Sequence, residues 1–154
     1  MLHITPGNNK LGKIFNISLP PVLSCPKNVP CASEGCYAKR IYQFRKTARD
    51  AWNDNYKLVK TNPSEYFNGI IKYLQSRRKK PTRFRWHTSG DIIDQNYYDG
   101  MKYVAEENKD IVFLAFTKNK KLNFNNTPNN LVIRFSNWGD YKNTTNLKLN
   151  SWVN

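Results

Sequence analysis

Ile111-Val112-Phe113-Leu114-Ala115-Phe116 is the stretch that decides the fold. Six apolar residues in a row lack the polar alternation of a half-exposed strand. They suit a strand covered on both faces, as in a parallel sheet. Upstream, Tyr97 to Asn108 reads as a helix with Tyr98, Met101, Val104 and Ala105 inward. Before it, Ser89-Gly90-Asp91 is a turn, and Thr82 to Thr88 is a strand with Phe84 and Trp86 on one face. Asn62-Pro63-Ser64-Glu65 carries a helix start. Asn62 can cap, Pro63 suits the first turn, and Glu65 stands three after the cap. The buried stripe of that helix is Phe67, Ile70, Ile71 and Leu74, and Arg77-Arg78-Lys79-Lys80 ends it with positive charge. Ala38 to about Val59 has helical spacing in Ile41, Phe44, Ala48, Ala51 and Trp52. Lys13 to Leu19 alternates as a first strand that Pro20-Pro21 stops.

Downstream of the run, Thr117 to Asn130 is polar, contains Pro128 and shows no long helix; Leu131 to Ser136 is a fourth strand, and Asn137 to Asn154 is irregular. The order is strand, helices, strand, helix, strand, short crossover, strand. This predicts a single α/β domain over 1–154, with a mostly parallel sheet of about four strands and flanking helices, like a half or truncated (β/α) barrel. Ligands of such sheets bind at the carboxyl ends of the strands.

The chain has 154 residues, 39% of them hydrophobic and 14% aromatic, enough for one packed core. No apolar run approaches the roughly 18 residues of a membrane span, and Met1 to Lys10 lacks a signal-peptide pattern. The expectation is a cytoplasmic protein with no membrane partner. The net charge of +14 suggests an acidic partner: nucleic acid, or an acidic electron carrier such as a ferredoxin or flavodoxin. Lysines that serve only as solvated surface are the plain alternative. Lys39, Arg40, Arg45, Lys46, Arg49 and the run Arg77, Arg78, Lys79, Lys80 are the nucleic-acid candidates; no helix-turn-helix or zinc-finger spacing accompanies them.

Cys25, Cys31 and Cys36 lie within twelve residues, spaced x5 and x4. An odd number cannot pair off fully into disulfides. A loop with such gaps can wrap three corners of a [4Fe-4S] cluster and leave one iron open. Zinc is the competing metal, although structural zinc uses closer pairs and four ligands; three unliganded buried cysteines are the third reading. Cys36-Tyr37-Ala38 after two further cysteines resembles the cluster loop of radical S-adenosylmethionine proteins. The larger frame resembles the phage "gene product 88" family: Asn9 to Lys13, Ser18-Leu19-Pro20, Ser24-Cys25-Pro26, Cys31, Cys36 to Lys39, and Phe84 to Asp91. These resemblances imply a virus-encoded iron–sulfur protein, with S-adenosylmethionine as a possible second cofactor and redox or ligand chemistry, enzymatic or electron-transferring, at the open iron. The alternative is a basic nucleic-acid-binding module with a structural metal.

A second constellation stands at the end of strand two: Arg85, His87, Ser89, Gly90 and Asp91. In the radical enzymes a motif there binds the amino group of the cofactor, and Ser89-Gly90-Asp91 resembles it in position. Its plain reading is a strand-to-helix turn with Asp91 as the helix-start residue. Alternation puts His87 on the face opposite Trp86, as a ligand, an acid/base or a packed strand residue. Tyr37, Thr117, Lys118, Arg134 and Ser136 complete the candidate pocket, and Trp52, Trp86 and Trp138 read as core or pocket wall.

Overall fold

A computed structural model describes residues 1–7, 14–21, 23–25 and 37–135. It contains β1 (Phe15–Ile17), α1 (Tyr37–Phe44), α2 (Lys46–Thr61), α3 (Pro63–Gln75), β2 (Arg83–Trp86), α4 (Gln95–Glu106), β3 (Val112–Thr117) and β4 (Leu131–Phe135). The strands form one sheet in the order β1-β2-β3-β4, and every neighbouring pair is parallel. The expected α/β fold is therefore present, in the sequential order of a portion of a (β/α) barrel.

Register follows the alternation read from the sequence. Ile17, Trp86, Ala115 and Ile133 form one layer across the sheet, and Phe15, Phe84, Phe113 and Leu131 form the next. Both layers join a single core with Tyr66, Phe67, Ile70 and Leu74 of α3 and Tyr97, Tyr98, Met101, Val104 and Ala105 of α4. Trp86 is completely buried, with Phe67 and Tyr97 among the rings around it. The intervening layer, Asn16, Arg85, Leu114 and Val132, belongs to the other face of the sheet.

The start of α3 is set by local chemistry. The Asn62 side-chain oxygen accepts the Glu65 N–H at 3.2 Å, and its amide donates to the Glu65 carboxylate at 3.3 Å. Pro63 occupies the first turn, where no donor is needed. At α4 the cap is Asp94, whose carboxylate accepts the Tyr97 N–H at 2.9 Å. Asp91 is thus not the residue that starts this helix.

The expectation for residues 38–59 is corrected. The segment is two helices, not one: Arg45 is extended at φ −119°, ψ 100°, ending α1 and preceding α2. The cause is tertiary. Tyr42 stacks on Trp52 with centroids 6.5 Å apart, and its hydroxyl donates to Asn53 at 3.0 Å. In a continuous helix those residues would be separated by about 15 Å along the axis, so the chain must turn between them. Phe44, which falls at helical spacing with Ile41, Ala48, Ala51 and Trp52, is 78% exposed at the end of α1.

Residues 118–130 cross from β3 to β4 without a helix, as expected. The Asn130 amide donates to the carbonyls of Ala105, Asn108 and Ile111 at 2.9–3.0 Å, fastening this crossover to the end of α4 and the start of β3. Among the described residues no helix is long and apolar enough to cross a membrane.

Candidate functional site

The carboxyl ends of β1, β2 and β3 converge on a buried polar cluster. Ser18, just past β1, accepts the N–H groups of Thr88 and Ser89 at 3.1 and 3.3 Å and bonds the Thr88 hydroxyl at 2.6 Å. Leu19 and Ser89 exchange bonds: the Leu19 N–H donates to the Ser89 carbonyl at 3.0 Å, and the Ser89 hydroxyl donates to the Leu19 carbonyl at 2.9 Å. Ser24 donates to the Pro20 carbonyl at 2.8 Å and accepts the Asp91 N–H at 3.1 Å. The loops after β1 and β2 are thereby sewn together. Gly90 lies at their closest approach. Its φ is +86°, and a Cβ there would stand 2.9 Å from the Leu19 carbonyl oxygen and 2.9 Å from the Leu19 Cβ. Only glycine meets both conditions without strain.

Asp91 extends the stitching to β3. One carboxylate oxygen accepts the Ile92 N–H at 2.7 Å and the Thr117 hydroxyl at 2.6 Å; the other accepts the Lys118 N–H at 2.9 Å. Burial pushes the acid above the ordinary carboxylate range, against the pull of the Thr117, Lys118 and Ile92 donors. Ser89, Asp91 and Thr117 are all buried, and each holds bonds to the protein itself. The expected gathering of residues at the strand ends is real, and the described bonds join one loop to the next.

His87 departs from simple alternation. It adopts φ 61°, and its ring packs at 5.9 Å from Trp86 and 5.3 Å from Tyr97. Its Nε2 is 2.8 Å from the Tyr97 hydroxyl, which is 2.6 Å from the Tyr66 hydroxyl. The left-handed backbone therefore turns the imidazole to the helix-covered side, not the side opposite Trp86. Burial, reinforced by the Arg85 charge, lowers its pKa to about 3. Among the described residues, the buried side-chain atoms without a hydrogen-bond partner are Arg85 Nε, Trp86 Nε1 and His87 Nδ1, on three consecutive positions. Arg85 lies over the Phe116 ring at 5.4 Å.

The remaining candidates are dispersed. Arg134 is half-buried on β4, and Cys25 is half-buried beside Ser24. Tyr37 opens α1; its side chain, with Cys31, Cys36, Ser136 and Trp138, lies outside the described residues. Lys39, Arg40, Arg45 and Lys46 are exposed on α1, at the break and at the start of α2, with Arg49 half-exposed one turn on. Arg77, Arg78, Lys79 and Lys80 follow α3 on a separate segment leading into β2, where Arg77 stacks on Tyr73 at 4.2 Å. Ser18, Ser24, Asn55, Tyr66 and Tyr97 were not among the expected site residues, yet they complete the polar networks. The hydroxyls immediately after β1 were the signal available for Ser18 and Ser24.

The iron–sulfur function expected from the cysteine loop is not upheld. Among the described residues no group of three or more His, Cys, Asp or Glu side chains is placed to hold a metal ion. Similarity to known proteins lends it no support either. The chain is 30% identical over 128 residues to the "Gene 88 protein" of Mycobacterium phage L5, a match that covers 76% of this chain and 53% of the relative. It therefore spans about half the length of that protein. Nothing in that match supports the resemblance to radical S-adenosylmethionine proteins or an iron–sulfur role. No solved structure matches. The pattern described as "Gene product 88" matches residues 3–151, as the phage resemblance of the sequence implied, and the chain belongs to that family.

Proposed function

We propose that this protein binds nucleic acid through the basic surface formed by α1, the Arg45 break and the first turn of α2. One observation carries the reading: α1 and α2 open with positive charge and no acid in the first turn. Lys39 and Arg40 stand in or beside the first turn of α1, and Lys46 and Arg49 do so in α2. Cations there oppose the helix macrodipole, which favours acids at that end. The same chain caps α3 with Asn62 and Glu65, and α4 with Asp94. The bases in the first turns of α1 and α2 therefore gain nothing from the helix dipole. Seven basic residues face two acidic ones over residues 37–61, and those two acids are partly occupied, Asp50 by Lys46 at 2.6 Å and Asp54 by His3 at 2.8 Å. The surplus suits a phosphate backbone, which is bound largely through counterion release.

The test is binding of labelled oligonucleotides across a salt series. Affinity is expected to fall linearly on a log–log plot against salt. Combined Lys39→Glu, Arg40→Glu and Lys46→Glu substitution is expected to abolish binding, whereas Arg78→Glu with Lys79→Glu is expected to leave most of it. Absence of salt-dependent binding overturns the reading. So does loss of binding through the second set alone, or selective binding of an acidic protein in place of nucleic acid.

A further inference from the structure

We infer that the strand bound at this surface is single, and that Phe44 is the platform on which one of its bases stacks. The inference rests on the proposed nucleic-acid reading and adds the substrate class. Phe44 closes α1 with 78% of its surface open, although the sequence places it on an apolar helical stripe. Tyr42, two residues earlier, is engaged with Trp52 and Asn53. No ring contact to Phe44 exists among the described residues. Arg40 precedes Phe44 by four positions and shares its face of the helix. Arg45 and Lys46 follow at once, both exposed. A large open ring with three cations within four positions of it in sequence is the combination that single-strand binders use: charge follows the backbone, and the aromatic face takes a base. A duplex keeps its bases stacked on one another and offers the ring no partner.

The experiment uses fluorescence anisotropy with the full chain. The probes are an oligothymidylate of about 20 nucleotides and a duplex of the same length. The wild type is expected to prefer the single strand. Phe44→Ala is expected to weaken single-strand binding roughly tenfold and to leave duplex binding unchanged. Phe44→Trp restores the affinity, and Phe44→Leu, equally apolar but without a π face, does not. The inference is overturned if Phe44→Ala or Phe44→Leu binds the single strand like the wild type, if both probes weaken equally, or if the duplex is preferred. In each of those cases salt-dependent binding persists and the broader reading stands. Failure of the wild type to bind either probe removes the broader reading as well. Circular dichroism of each variant confirms that an exposed substitution has left the fold intact.

Discussion

The Asp91 carboxylate accepts the Thr117 hydroxyl at 2.6 Å, linking the loop after β2 to the last residue of β3. Both groups are buried, so neither can turn to water when the other is removed. Asp91→Ala strands three donors, the Thr117 hydroxyl and the N–H groups of Ile92 and Lys118. It is expected to cost about 3 kcal/mol in urea unfolding, and Thr117→Val about 1.5 kcal/mol. The two are in direct contact, so the double variant should fall short of the sum. Additive losses would show that the bond contributes nothing of its own.

Gly90→Ala is expected to destabilise the protein by about 2 kcal/mol or more, because it forces a left-handed backbone and a contact with Leu19 at once. Thermal unfolding measures it. A variant as stable as the wild type would mean that the loops after β1 and β2 separate more readily than their bonds imply.

Stability should depend on pH through His87. Its pKa is about 3 in the folded protein and near the usual 6.5 of a free imidazole in the unfolded chain. Between those values the unfolded chain binds a proton that the native state does not, so stability falls as pH drops below about 6.5. Between pH 7 and pH 5 the wild type is expected to lose about 2 kcal/mol more than His87→Asn, which tolerates the left-handed backbone and does not titrate. Parallel urea curves at the two pH values give the comparison; equal losses would exclude His87 as the source.

Lys39→Glu with Arg40→Glu should separate stability from binding. Acids suit a helix amino end, so the pair is expected to stabilise the fold by about 0.5 kcal/mol at low salt while weakening oligonucleotide binding. Chemical unfolding and anisotropy on the same preparation report both. A loss of stability would undercut the argument that these bases are placed against the interest of their helix.

The sequence discloses the parts of this molecule that local chemistry sets. Asn62, Pro63 and Glu65 announce the start of α3 because a cap is a contact three residues long. Phe84 and Trp86 announce one face of β2 because strand alternation needs no partner to be read. What stayed hidden was made at a distance. The break at Arg45 follows from Tyr42 reaching Trp52 and Asn53, and the turn of His87 goes with its bond to a tyrosine on the next helix. The polar cluster was legible as a location but not as a set of bonds. Its hydroxyls meet only once the strand ends are side by side.

The order β1-β2-β3-β4 carries a consequence for how the chain is made. Each strand after the first pairs with the one translated just before it, so no strand waits for a partner still to be synthesised. The sheet can grow at one edge during translation, and the edge left exposed at each stage is the one the next strand will cover.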